Sequence, residues 1–599
     1  MKKKMLITGL VSALAISCAA CATSKENNTS STKNQTYAAA EVHYEEWEEC
    51  IAEVTDYESQ TEVPKDATEI FLDEISGNLT IDAEGSYVLS GSLEGKVIVA
   101  VEGQVHLYLK GVNITSNEGA AIEITGSKKK VITLVDGYTN SLQDGESYNI
   151  EDSEANACLF SKKALTINGN GTLEILATGS YEETEEGVTT VENAKGINCK
   201  DELKILNNPN IIVTSGGDGI RGKDSVSIYG GTFTIQSGDD GIVSEGNIFI
   251  VDGEYNIQTG GGASSSAKRD EYTGSYKGIK NDTGTIYLIG GNLNLETLHN
   301  GIHSNNCIVV DGATLVVNCS DGSQERGEGK TYVHGHGLHS DLDIYFLSGN
   351  VTVTASYEGV EAEKIYMNGG SVEVASSDDG FNASSENGND SDCILAMNGG
   401  TVSVNAGGDG LDSNGDIVIT GGSTVVDGPT DSGNGALDCG DRGNSITITG
   451  GSVFTIGTAG MTENASEDST VTFSGFSIQD SIAAGTALEV YDGSTCILSA
   501  TAAKNRNGAY IQIATEDTKS GTEYILKTSA GSTGFTAGEN SAGGMGMGRP
   551  GGMQQGDFQG EKPNGDFQGE MPNGDFQGEK PNGDFGGERP ERGPKDNQQ

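Results

Sequence analysis

From about Ala194 onward the sequence repeats itself. Each unit has a polar residue, Gly-Ile or a close variant, an alternating apolar stretch, a Gly-rich turn and a second alternating stretch. The first turn recurs as Lys195-Gly196-Ile197, Asp218-Gly219-Ile220, Asp240-Gly241-Ile242, Lys277-Gly278-Ile279, Asn300-Gly301-Ile302, His336-Gly337-Leu338, Glu358-Gly359-Val360, Asp379-Gly380-Phe381 and Asp409-Gly410-Leu411, with uninterrupted copies about 22 residues apart. Stacking the units aligns like with like: Leu203, Val226, Ile248, Ile286, Ile308 and Ile394 open one column, and Ile205, Ile228, Ile250, Leu288, Val310 and Ala396 follow two positions on. A period of two places both columns on one face of a strand. A parallel β-helix buries such columns, each coil hydrogen-bonded to the next, so the spacing predicts an all-β solenoid. Gly at the corners permits positive φ or a tight turn.

The stretch from Ile70 to Gly179 is strand-rich but less regular and is read as the first, wider coils. The β-helix is thereby predicted over 66–477. The segment 478–536 loses the turn signature and is predicted to cap the stack, because an open coil exposes an edge. Over 537–599 a low-complexity tail carries Pro-Asn-Gly-Asp-Phe-Gln-Gly-Glu units. It lacks the Gly-Gly-x-Gly-x-Asp pattern of calcium-binding nonapeptides and is predicted to be disordered.

Lys2, Lys3 and Lys4 precede an apolar stretch from Met5 to Ile16, too short to span a membrane comfortably. The following Ser17-Cys18-Ala19-Ala20-Cys21 resembles a bacterial lipoprotein signal; an ordinary secretory signal is the alternative. Cys21, preceded by Ala19 and Ala20, is the favoured lipidation position, with Cys18 the alternative. Residues 1–21 are thus the expected signal and 22–65 a tether, for a protein exported to the cell surface and touching the membrane only through its lipid. The later cysteines have no CxxC pair or compact spacing and read as packed or isolated thiols, with room for one or two bridges.

The chain of 599 residues carries a formal net charge of -51. That excludes nucleic acid as a direct partner, because phosphates are repelled at long range. Much of the charge falls at the recurring turn. Coils of a parallel sheet lie about 4.8 Å apart, so Asp218 becomes a neighbour of Asp239 and Asp240, and Asp378 and Asp379 become neighbours of Asp409 and Asp412. Carboxylates that close repel one another, whereas a hard divalent cation uses them as ligands at about 2.4 Å. Asp also suits tight turns, which accounts for any single one of them. Lys195 and Lys277 interrupt the acidic column, and Lys280 follows Lys277. A Lys there would neutralise carboxylates of the preceding coil or, beside calcium, serve as base in a β-elimination. His303 and His339, each two residues after the Gly in successive coils, read as a polar ladder, a sugar contact or a transition-metal pair. Insertions at Gly260 to Ser275, Asp321 to His334 and Ser384 to Asp390 adjoin the same turn. They would wall a groove or be tolerated loop length.

The blocks Gly85-Ser86-Tyr87-Val88-Leu89-Ser90-Gly91, Leu109-Lys110-Gly111-Val112-Asn113-Ile114-Thr115, Lys277-Gly278-Ile279-Lys280 and Gly407-Gly408-Asp409-Gly410-Leu411-Asp412-Ser413-Asn414-Gly415 resemble bacterial carbohydrate-binding β-helix proteins that bind polygalacturonate and cellulose. The resemblance spans about Thr68 to Leu526. It implies a right-handed parallel β-helix, calcium, a surface location and a plant cell-wall polysaccharide as partner. The implied fold is similar to that of polysaccharide lyase family nine, where calcium held by aspartates and a nearby Lys perform pectate elimination. Asp218, Asp239 and Asp240 match that aspartate cluster in order, and Lys277 falls where the catalytic Lys would come. A further aspartate of the lyase cluster is replaced here by Val243. The expected activity is therefore calcium-dependent binding of pectin without cleavage, with Lys277, Lys280, His303 and His339 as ligand contacts; a pectate lyase using Lys277 is the alternative.

Overall fold

The structure, a computed structural model, describes residues 45–540 except 127, 151–152, 186–187, 264–273, 320–333, 386–391 and 441–442. The expected signal with Cys18 and Cys21, the first part of the tether, most of each insertion and the tail beyond 540 lie outside the described residues.

The repeat forms three ladders of parallel strands. In the first, Lys195–Cys199 pairs with Ile220–Gly222, followed in turn by Ile242–Ser244, Ile279–Asn281 and Ile302–Ser304. In the second, Glu202–Ile205 is followed by Ser225–Ile228, Asn247–Ile250 and Thr285–Leu288. In the third, Asn210–Ser215 is followed by Thr232–Ser237, Glu254–Thr259 and Asn292–Thr297. Parallel pairing extends back to Thr68–Phe71 with Gly85–Glu94 and forward to Leu437–Cys439 and Ile446–Ile448. The described chain is nearly all β, and its one α-helix is the single turn Trp47–Cys50.

Alternation builds the core. Leu203, Val226, Ile248, Ile286 and Ile308 are all 0% exposed, so each stabilises the fold by about 1.5–3 kcal/mol through removal of its side chain from water. One stretch departs from the expected columns. Ile365 pairs with Leu395, and Met367 with Met397. Leu395 and Met397 therefore point into the core while Ile394 and Ala396 face the opposite side, against Tyr366. The insertion before Ile394 hides the register, and a slip of one residue exchanges the two faces of a strand.

The two glycine turns are required for different reasons. A Cβ at Gly219 would collide with Ile235 and with the carbonyl of Gly241 in the next repeat, so the Gly-Ile corner is a matter of close packing. The second glycine of the Gly-Gly turn has positive φ, as at Gly422 with 77° and Gly451 with 75°.

The ends are closed by other means. Arg506–Thr515 pairs antiparallel with both Ser452–Gly457 and Phe473–Ile482. It thereby ends the parallel ladder. A four-stranded antiparallel sheet containing Ala487–Asp492 and Glu523–Lys527 packs Leu488, Val490 and Tyr524 onto Phe454 and Ile511. Asp427 locks this segment through Arg506 and through Lys504, 3.4 Å away. Near the other end, residues 45–63 depart from the expected tether. Glu58 is fully buried and bonded to Lys129 at 2.7 Å and Lys204 at 3.3 Å, while the Tyr287 hydroxyl donates to the carbonyl of Glu45. This segment is strapped to the outside of the second ladder because its one buried carboxylate finds two ammonium partners there. Of the described cysteines, Cys158, Cys199, Cys307, Cys319, Cys393 and Cys439 are buried, Cys50 is half-buried and Cys496 exposed.

Candidate functional site

Two columns of polar side chains run side by side along the first ladder. The outer backbone amide of each Gly-Ile turn fixes one of them: Gly219 N donates to Asp240 O, Gly241 N to Lys277 O, Gly278 N to Asn300 O, Gly301 N to His336 O, Gly337 N to Glu358 O, Gly359 N to Asp379 O and Gly380 N to Asp409 O. Strand register fixes the other, three residues on: Arg221 is followed by Val243, Lys280, His303, His339, Glu361, Asn382, Asp412 and Asp438. Short side-chain acceptors in the first column tie one repeat to the next. Asp240 Oδ1 accepts from Lys277 N at 2.7 Å, Asn300 Oδ1 from His336 N at 3.0 Å, Asp379 Oδ1 from Asp409 N at 2.7 Å, and Asp409 Oδ1 from Gly435 N. Asp and Asn thus have a structural duty here that uses one oxygen; in Asp a second carboxylate oxygen remains.

Asp218, Asp239 and Asp240 come together, with a carboxylate oxygen of each within 4.8 Å of the others. Cations surround them. Asp218 lies 3.7 Å from Lys195 and 3.4 Å from Arg221, and Asp240 lies 3.6 Å from Lys280. Asp239 accepts the backbone amides of Ser275 and Tyr276. Burial, with the charges of Asp239 and Asp218, pushes Asp240 up to about 7 despite Lys280. Lys277 makes none of these ion pairs. Its ammonium donates to Ser275 Oγ at 3.0 Å, and burial holds its pKa below the usual Lys value. The neutralisation weighed for Lys277 is thus performed by Lys280 and Lys195, with Arg221 the partner that turn spacing alone did not pick out.

Asp379, Asp409 and Asp412 form a second cluster of the same size, again within 4.8 Å. Among the described residues no Lys or Arg forms an ion pair with any of the three. Burial and the neighbouring charge of Asp378 push Asp379 up to about 9, and burial with Asp409 pushes Asp412 up to about 7. Asp378 lies beside this group without joining it. A Cβ on Gly408 would strike Oδ1 of both Asp378 and Asp379, so the glycine lets the backbone pack against the two carboxylates; this Asp379 oxygen is the one that accepts Asp409 N. Three half-buried carboxylates within reach of one another, with no ion pair to a described Lys or Arg, fit a hard divalent ion with oxygen ligands. The first cluster fits one less well, because two of its members already hold cations.

Between the clusters lie the histidines. His303 and His339 are register partners with ring centroids 4.9 Å apart. His303 Nε2 meets Asn305 Oδ1 at 2.9 Å, and its Nδ1 meets Asn300 at 3.1 Å. Burial first, then nearby cationic groups, lowers both imidazoles, His339 to about 4, so both are neutral at pH 7. Glu358 and Glu361, absent from the expected site, stand in the next repeat. Burial and Glu361 push Glu358 up to about 7; burial acts on Glu361 in the same direction, but the bond from His336 brings it down to about 2. Reading every residue three positions after the column would have found Glu361.

Among family profiles, that of carbohydrate-binding domain-containing proteins matches residues 76–323 and 324–480, more than half of the chain. The chain belongs to this family. A carbohydrate-binding domain-containing protein of Acetivibrio thermocellus is 40% identical over 103 residues, which is 16% of this chain and 36% of that relative. The chain thus matches about a third of that relative's length. Among solved structures, the gadolinium derivative of a polysaccharide lyase-like protein from C. thermocellum aligns with 25% identity and a TM-score of 0.29, over 45% of this chain and 88% of that one.

Proposed function

We propose that the chain is a surface protein that binds acidic polysaccharide through calcium held by Asp379, Asp409 and Asp412. The observation that carries the reading is the cluster of half-buried carboxylates that no described Lys or Arg neutralises. A calcium ion there would be held by these carboxylates and would supply a positive centre for a uronate carboxylate, which a chain of net charge -51 otherwise repels. Lys277, Lys280, His303 and His339, two to four repeats before Asp379 on the same ladder, would contact the sugar. The three ladders are read as one right-handed parallel β-helix whose coils carry this face, since each strand pairs with its counterpart in the following repeat. The polysaccharide would be of the plant cell wall, polygalacturonate foremost and cellulose second. Export and a lipid anchor at Cys21 or Cys18 would place the protein outside the cell, as the leader composition suggests.

Binding without cleavage is favoured because Asp218 and Asp240 are engaged by Lys195, Arg221 and Lys280, and Val243 adds no ligand. One observation favours a second reading, a pectate lyase. The Lys277 side chain donates to the Ser275 hydroxyl, forms no ion pair with a described carboxylate, and has its pKa lowered by burial, the direction that favours the free amine a general base needs. Calorimetry with oligogalacturonate tests the first reading: binding is expected in calcium and absent in excess EDTA, and undiminished binding in EDTA would overturn it. Release of unsaturated product that absorbs in the ultraviolet, lost in Lys277→Ala, would establish the second instead.

A further inference from the structure

We infer that His336, His339 and Glu361 form a binding site for a transition metal of the zinc class, chemically distinct from the carboxylate clusters on either side. The three belong to a two-by-two block: His336 and His339 in one repeat, Glu358 and Glu361 at the same two positions in the next. Both imidazoles turn Nδ1 toward one oxygen. His336 Nδ1 lies 2.6 Å and His339 Nδ1 3.7 Å from Glu361 Oε2, and the three ligand atoms lie within 4.8 Å of one another. Ligand atoms around a tetrahedral zinc, each about 2.0–2.1 Å from the metal, are separated by about 3.4 Å. The two separations to Glu361 Oε2 bracket that value, so modest side-chain shifts accommodate the ion.

The donor set selects the metal. Calcium takes oxygen ligands and would find just one, Glu361, among the three, whereas imidazole nitrogens favour zinc, cobalt, nickel or copper. The surroundings orient the ligands as a metal site requires. Ser384 Oγ donates to Glu361 Oε1 at 3.0 Å, leaving Oε2 directed at the histidines. Asn300 Oδ1 accepts the His336 backbone amide at 3.0 Å, and Asp341 Oδ1 lies 3.6 Å from His339 Nε2. A carboxylate on the far nitrogen is the arrangement that fixes a ligating imidazole. Glu358 Oε2, 3.6 Å from His336 Nδ1, stands at the edge of the block. Three protein ligands leave the fourth position to water.

The test uses the full chain, stripped of metal and returned to excess calcium so that the aspartate clusters are saturated. Cobalt(II) serves as the probe. One equivalent should give the visible bands of a tetrahedral ion, and zinc should displace it. His336→Gln and His339→Gln should each weaken zinc binding by more than about a hundredfold, the upper end of what losing an outer partner costs. Asp379→Asn should leave zinc binding unchanged, which separates this site from the calcium reading. X-ray absorption of the zinc-loaded wild type, which needs no variant to fold, should show imidazole scattering from two ligands. Absence of tetrahedral cobalt bands, zinc binding retained in both histidine variants, or a zinc spectrum without imidazole would overturn the proposal and leave the block an ion-paired histidine network.

Discussion

The clusters Asp218/Asp239/Asp240 and Asp379/Asp409/Asp412 occupy equivalent turns and each bring three carboxylates within 4.8 Å, yet the first is the more buried and their electrostatic states differ. In the first, Lys195, Arg221 and Lys280 lie within 3.4 to 3.7 Å of a carboxylate. In the second, the nearest charges are more carboxylates, and Asp379 is pushed to about 9. What separates the two turns is therefore the charge around them: Lys195 of the preceding repeat and the residues three positions on. There Arg221 and Lys280 flank the first cluster, and Asn382 and Asp412 stand at the second. The acidic turn is common to both.

The comparison breaks most severely if the second cluster loses its support. Leu395 lies in the core of the repeat that carries Asp379. Leu395→Ala should destabilise the chain by about 2–5 kcal/mol in chemical denaturation. Ile394→Ala, on the other face, should cost far less; equal losses would contradict the register. Next in size, Asp379→Asn should weaken calcium binding at least tenfold, about 1.4 kcal/mol, in calorimetry, whereas Asp240→Asn should leave it near wild type. Lys280→Gln sharpens the contrast from the other side. Removing the partner of buried Asp240 should cost roughly 1–2 kcal/mol without calcium, discounted for the partial exposure of Lys280, and calcium should recover part of it. If Lys280→Gln changes neither stability nor calcium response, the neutralisation argument fails.

A further contrast lies in pH dependence. Asp379 and Asp412 have folded-state pKa values of about 9 and about 7, above the unfolded value of about 3.9. The unfolded chain therefore releases these protons first, and without calcium stability falls as pH rises from about 4 through 9. The Tm in EDTA should be higher at pH 5 than at pH 8, calcium should raise it more at pH 8, and Asp379→Asn should flatten the difference.

Much of this architecture is legible in the amino-acid sequence. The Gly-Ile turn identifies the column of Asp218, Asp240, Lys277, Asp379 and Asp409, and alternation locates the core strands as far as Phe346 and Met367. Two features are not legible there. The register expected after the insertion at Ser384 is off by one, because Ile394, Leu395, Ala396 and Met397 are all apolar and alternation carries no phase there. Which cation reaches which carboxylate is also hidden: Lys277 and Lys280 are equally placed by spacing, but Lys277 turns toward Ser275 and Lys280 toward Asp240. Side-chain direction around a corner is a packing outcome that periodicity does not encode.

The most direct measurement is binding of oligogalacturonate to wild type, Asp379→Asn and Asp240→Asn, each in calcium and in EDTA. Calcium-dependent binding in wild type and Asp240→Asn, lost in Asp379→Asn, is the result expected if the second cluster joins protein to polysaccharide through the ion. Binding that survives EDTA, or that depends on Asp240 and is indifferent to Asp379, would contradict it.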